Sequence, residues 1–194
     1  MQICLADKKD ATQIARIHKQ EISQGFLSSL GEKFLAKLYE AIIKSPGAFV
    51  IVAKKNNQII GFISGCANTK KFYRYFVKRY FFQALFILLL KIQNLKKILE
   101  TLKYSQENKN LPKAELLTIA VIKKYQGRGI AQKLFKKFFQ EMRRKKITKF
   151  KVIVGENLIR ANRFYEKSGF RMHSCISIHN NQKSRIYIYD QKTI

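Results

Sequence analysis

Apolar residues recur along this chain in two rhythms, one near every third or fourth position and one in short unbroken runs. Over residues 10–22, Ala11, Ile14 and Ile17 keep helical spacing behind Asp10, a plausible N-cap. Residues 30–43 repeat the pattern through Phe34, Leu35, Leu38, Ala41 and Ile42 until Ser45-Pro46-Gly47 stops it. Before them, residues 2–5 read as a short strand. After them, the β-rich runs 48–53 and 59–67 read as a hairpin around a polar loop at 54–58. Residues 116–122 form another buried-type strand. Helical period returns over 129–145 with Ile130, Leu134, Phe138 and Met142. A strand at 150–154, a helix at 159–167 and a closing hairpin, 170–178 with 184–189 around Asn180-Asn181, complete the order βααβββαβαββ. Strands that alternate with helices in the second half require at least one parallel pair, so the fold class is α/β or α+β.

No internal repeat or long Gly/Ser linker interrupts the chain, so residues 1–194 read as a single domain with an insertion at about 68–113. Within that insertion Leu85, Leu88, Leu89, Ile92, Leu95, Leu99 and Leu102 make an apolar stripe against Lys91, Asn94, Lys97 and Thr101. An amphipathic basic helix of this kind packs on its own core or on a dimer partner. The alternative is an acceptor lid or a peripheral membrane contact through residues 72–102.

Charge changes the picture further: 39 Lys and Arg against 12 Asp and Glu leave a net charge of +27. The lysines are scattered through every segment, as a general compositional bias would scatter them, yet the resulting field attracts anionic ligands. No nucleic-acid motif accompanies them, so no specific nucleic-acid partner is expected. The longest charge-free apolar stretch, residues 80–90, is far short of the roughly 20 residues that a spanning helix needs. With no signal-peptide pattern at residues 1–10, a cytoplasmic location is the expectation. Cys4, Cys66 and Cys175 are odd in number and far apart. Neither they nor His18, His173 and His179 have ligand-like spacing, so reduced thiols and no metal are expected.

Chemistry concentrates where the strand at 116–122 runs through Gln126-Gly127-Arg128-Gly129 into the helix that starts at Ile130 and Ala131. Backbone N–H groups and the positive helix end converge there on one point, a natural seat for an anion. The glycines permit tight backbone geometry, and Ala131 keeps the first turn small. Taken alone, the segment fits a ligand-free strand-to-helix turn equally well. It lacks the Gly-Lys-Ser/Thr ending of a P-loop, and it lacks the third glycine and downstream acid of a dinucleotide fingerprint.

Gln126, Gly129 and Ala131 match the Gln/Arg-x-x-Gly-x-Gly/Ala signature of the GNAT superfamily of N-acetyltransferases. The run Asn157…Ala161-Asn162…Tyr165…Gly169-Phe170 resembles that superfamily's second motif. The resemblance implies a mixed, mostly antiparallel sheet flanked by helices, with splayed parallel central strands and a helical insertion before the fourth strand. It implies acetyl-CoA as donor, its pantetheine arm along Ile119, Ala120 and Val121 and its pyrophosphate on the amides from Gln126 to Ala131. Tyr165 becomes the acid that protonates the departing thiolate. Glu115 becomes the candidate base, with Glu156 in reserve and a water chain as the alternative. The motif asparagine is displaced by one position, so either Asn157 or Asn162 contacts the cofactor. The implied reaction is acetyl transfer by direct attack of a primary amine of a small molecule, such as an amino sugar or sugar nucleotide. The alternatives are a protein lysine or N-terminal acetyltransferase, or a non-catalytic CoA-binding module.

Overall fold

The computed structural model describes residues 1–23, 26–89, 111–178 and 182–191. The apolar runs form strands β1 (Gln2–Leu5), β2 (Ala48–Lys55), β3 (Gln58–Cys66), β4 (Glu115–Val121), β5 (Lys149–Gly155), β6 (Arg171–Ile178) and β7 (Gln182–Asp190). The segments of helical period form α1 (Ala11–Glu21), α3 (Glu32–Lys44), α5 (Ile130–Arg144) and α6 (Ile159–Lys167). The insertion opens with α4 (Thr69–Leu89), and a single turn, α2 (Phe26–Ser29), was not expected from the pattern. The strands make one sheet in the order β1-β2-β3-β4-β5-β7-β6, antiparallel throughout except for β4 beside β5.

Two local expectations change. The polar stretch 54–58 is no five-residue loop: Lys54, Lys55 and Gln58 belong to the strands, and only Asn56 and Asn57 turn, with φ of 49° and 59°. Two successive positive φ values suit a two-residue hairpin turn, and asparagine tolerates them. Asp10 makes no side-chain cap for α1. It pairs with Asp7 in the capping box of the preceding turn and accepts Lys54 Nζ at 2.8 Å.

Each face of the sheet carries its own apolar layer. On one face Ile14, Ala15, Leu35, Leu38 and Ile42 of α1 and α3 meet Val50, Val52, Phe62 and Ala120. The start of α4 joins that layer through buried Phe72 and Phe76, and the Phe76 ring stands edge-on to Phe34 at 5.9 Å. The opposite face buries Leu134, Phe138 and Met142 of α5, with Tyr165 of α6, against Ile63, Phe150, Val152 and Tyr187. The second half of the predicted insertion stripe, from residue 90, and the turn at Asn180-Asn181 lie outside the described residues.

The parallel pair positions the site. β4 and β5 meet at Glu115 and Lys151, where Lys151 N–H also donates to Ala114 O at 3.0 Å, and beyond that point they share no register. Ser64 faces Thr118 while Gly65 faces Leu116, so Leu117 is the extra residue of a bulge in β4. From the bulge onward, the edge of β4 turned away from β3 has no strand partner among the described residues.

Candidate active site

A cavity of about 370 Å³ opens where β4 and β5 part. Its walls come from Ile119, Ala120 and Val121 on β4, the turn at Gln126, Gly127 and Gly129, the first turn of α5 at Ile130 and Ala131, and Tyr165 of α6. The expected residues thus gather around one space, although β4 and α6 are remote in sequence. Gly127 and Gly129 adopt φ of +75° and +72°, conformations that disfavour other side chains, and a Cβ on either would project into open space. Lys133 N–H is the first in α5 to find a helical acceptor, Gly129 O at 3.1 Å. The N–H groups of Ile130, Ala131 and Gln132 precede it, and helical bonding leaves them unpaired at the end of α5 that lines the cavity.

Tyr165 is 4% exposed, its ring fixed by Phe164 at 5.4 Å and Phe170 at 5.3 Å. Burial pushes its pKa up, so the hydroxyl keeps its proton throughout the neutral range. The residue lines the cavity, and its hydroxyl makes no hydrogen bond among the described residues.

Four expected residues stand elsewhere. Arg128 lays its guanidinium over the Tyr125 ring, 5.7 Å from the centroid, and contributes to the turn through its backbone rather than to the wall. Asn157 is exposed beyond the end of β5. Asn162 is 4% exposed and directs Nδ2 at Gly155 O (3.0 Å) and Leu158 O (2.9 Å), tying β5 to α6. Its Oδ1 is buried without a partner among the described residues. Glu115 sits at the closed end of the strand pair, its Oε2 3.2 Å from Lys151 Nζ, and forms no part of the cavity wall. Burial raises its carboxyl pKa, and Lys151 opposes that shift. The reserve base Glu156 is ion-paired with Arg185 at 3.1 Å.

The cavity also recruits residues that the motifs do not announce. Glu21, at the end of α1, accepts Lys123 N–H at 3.1 Å and Gln126 Nε2 at 3.4 Å, while Gln126 Nε2 also donates to Val121 O at 2.8 Å. This side-chain lattice fixes the turn from both sides. Arg160 and Phe164 complete the wall from α6. For Arg160 a signal existed, its place beside Ala161 in the second motif. For Glu21 there was none, because its partners lie more than a hundred residues away.

These features fit an extended, amide-bearing diphosphate such as acetyl-CoA: an unpaired strand edge and a glycine turn open to a ligand at a helix N-terminus.

Comparison with known proteins agrees with that fit. Residues 14–170 match the family model described as the acetyltransferase (GNAT) family. Among solved structures, yncA of Salmonella typhimurium with its cofactor acetyl-CoA superposes with a TM-score of 0.65 at 16% identity, covering 98% of this chain and 94% of that one. The ribosomal-protein-S18-alanine N-acetyltransferase of Escherichia coli gives 0.63 at 13% identity over 97% and 92% of the two chains. An acetyltransferase from Thermus thermophilus gives 0.59 at 12% over 98% and 97%. Such low identities establish a shared fold. No curated protein matches the chain.

Proposed function

The chain belongs to the acetyltransferase (GNAT) family, acyltransferases that use acetyl-CoA, and on that basis we propose that it acetylates the primary amine of a small molecule, with amino sugars and sugar nucleotides as the class to test first. The observation that carries this reading is the parting of β4 and β5 after Glu115 and Lys151, which opens one cavity bounded by the glycine turn at one end and Tyr165 on the side.

Acetyl-CoA supplies an activated thioester. The chain's own groups then bind and move protons. The β4 edge at Ile119, Ala120 and Val121 pairs with the pantetheine amides. Backbone N–H groups from Gln126 to Ala131 hold the pyrophosphate, with α5 contributing its positive end. The amine attacks the thioester carbon, the C–N bond forms as the C–S bond breaks, and the Tyr165 hydroxyl gives its proton to the departing sulfur. Solvent water in the cavity takes the amine proton. Glu115 has the raised basicity of a proton acceptor, but its ion pair with Lys151 and its place off the wall favour a structural role.

The net charge of +27 supports a neutral or anionic acceptor over a basic peptide. Thiol release from acetyl-CoA, followed over a panel of amino sugars, sugar nucleotides, polyamines and N-terminal peptides, tests the proposal. Turnover confined to peptides would transfer the assignment to protein acetylation. Binding of acetyl-CoA without turnover on any amine would leave a CoA-binding module.

A further inference from the structure

Among the described residues that line the cavity, Glu21 at the end of α1 is the one carboxylate. Its charge works against a ligand that carries a diphosphate. Nearby cations do not neutralise it. Lys123, Lys124 and Arg128 stand on the neighbouring turn, yet Glu21 makes no ion pair among the described residues, whereas Asp10, Glu40, Glu141 and Glu156 each make one. Glu21 spends both oxygens on uncharged donors instead. Its Oε1 accepts the backbone N–H of Lys123 at 3.1 Å, and its Oε2 accepts Gln126 Nε2 at 3.4 Å.

Each bond meets a need of the chain just before the glycines. Residues Lys123–Tyr125 form a single tight turn, and Ile122 ahead of it offers no side-chain cap. Lys123 N–H is one of the donors that the turn's own bonding leaves unpaired, so Glu21 caps the turn from a different helix. At the far end, Gln126 N–H donates to Lys123 O at 3.1 Å. The Gln126 side chain folds back, its Nε2 donating to Val121 O at 2.8 Å as well as to Glu21. That amide nitrogen therefore serves the turn and not a ligand. Gln126 leads directly into Gly127 with its φ of +75°, so the placing of residues 123–126 sets where the N–H groups from Gly127 to Ala131 point.

We propose that Glu21 is a positioning residue of the donor site, which holds the turn at Lys123 and Gln126 in the shape that receives the pyrophosphate of acetyl-CoA. This inference rests on the reading of the cavity as the acetyl-CoA site, and the experiment separates the two. Charge and position predict opposite signs. Were Glu21 only a charge on the wall, its removal would tighten acetyl-CoA binding; as a positioning residue, its removal weakens it. Calorimetry with acetyl-CoA compares the full chain with Gly129→Asp, Glu21→Ala, Glu21→Met and Glu21→Gln. Unchanged affinity in Gly129→Asp overturns the site itself. With Gly129→Asp weakened, Glu21→Ala and Glu21→Met are each expected to bind roughly three- to tenfold more weakly, the net worth of one hydrogen bond. Glu21→Met keeps the packing of the side-chain stem and decides the matter should Glu21→Ala not fold. Glu21→Gln, whose amide oxygen still accepts the Lys123 N–H, loses less than either. The loss persists at about 0.5 M salt, because screening removes the opposing repulsion and leaves the hydrogen bonds. With acetyl-CoA saturating, kcat holds, since Tyr165 is untouched. Binding in Glu21→Met as tight as wild type or tighter, an equal loss in Glu21→Gln, or fewer sites per chain at an unchanged Kd overturns the proposal.

Discussion

Tyr165 shows how one side chain can be both packing and chemistry, and how the two are separated. Its ring touches Phe164, Phe170 and Tyr187, contacts that a phenylalanine keeps. The hydroxyl, protonated because burial raises its pKa, is what Tyr165→Phe removes. In steady-state thiol release the variant is expected to lose about 10²–10⁴-fold in kcat, the usual worth of a positioned acid, while calorimetry finds acetyl-CoA affinity little changed. A full-rate variant would make Tyr165 a packing residue only. His18 offers a pH test of a different kind. Its folded pKa of about 4 lies below the ordinary 6.5, so the unfolded chain takes up a proton that the folded chain refuses. Stability therefore falls as pH drops from 6.5 toward 4, by about 2 kcal/mol at pH 5, and is insensitive to this group above 6.5. Urea unfolding at pH 7.5, 6.5, 5.5 and 5 checks it: the midpoint falls in the wild type, the fall is much reduced in His18→Gln, and an equal fall in both would contradict the assignment.

At the scale of elements, the closed end of the strand pair is the sharpest test. Lys151 Nζ is 8% exposed by its side chain, sits 3.2 Å from Glu115 and donates to Pro112 O at 2.7 Å. Removing the carboxylate strands a buried ammonium, so Glu115→Ala is expected to lose about 3–5 kcal/mol in denaturant unfolding, and Glu115→Gln less. In the folded Glu115→Gln protein, kcat is expected to hold across pH. A loss concentrated at low pH, where the amine needs a base most, would return Glu115 to the chemistry. The same region shows what the sequence carried and what it hid. Apolar runs and helical spacing sufficed for every strand and for α1, α3, α5 and α6: the central strands β2 and β3 are apolar along most of their length because both their faces are buried, and each of these helices buries one face. The glycine turn was legible because tight φ and converging N–H groups need small residues at fixed offsets. Register was not: that β4 and β5 pair only at Glu115 and Lys151, and that Leu117 bulges, depends on contacts between distant segments. Lys54, Lys55 and Gln58 read as loop because strand ends are polar, and the two asparagines alone made the turn. Asn157 stands exposed beyond β5 while Asn162 is buried between β5 and α6, a difference that a motif offset by one residue does not reveal.

Across the whole molecule, charge is the property that bears on the acceptor. Acidic side chains are largely consumed by local partners: Asp10 by Lys54, Glu40 by Lys44, Glu141 by Arg144, Glu156 by Arg185 and Asp190 by Lys149. With a net charge of +27, the cationic surplus is left facing solvent and incoming ligands. Near the cavity, Lys55, Lys124 and Arg128 crowd the Tyr125 ring, and Arg160 stands on the wall. A field of this sign speeds the arrival of anions and opposes polycations, and both effects fade as salt shortens the screening length to about 10 Å at 0.1 M. Acetyl-CoA is itself an anion, so its own binding weakens with salt and would mask the acceptor's behaviour unless the donor is kept saturating. Under that condition, kcat/KM for an amine that carries a phosphate or carboxylate is expected to exceed that of its neutral analogue. Raising salt from about 0.02 to 0.5 M should erase most of that advantage while leaving the neutral amine nearly unaffected. A lysine-rich peptide should show the reverse slope, its poor turnover improving with salt. A basic peptide that outcompetes the anionic amine at low salt would refute the electrostatic argument and point to a protein acceptor, with a local acidic patch strong enough to overcome the field.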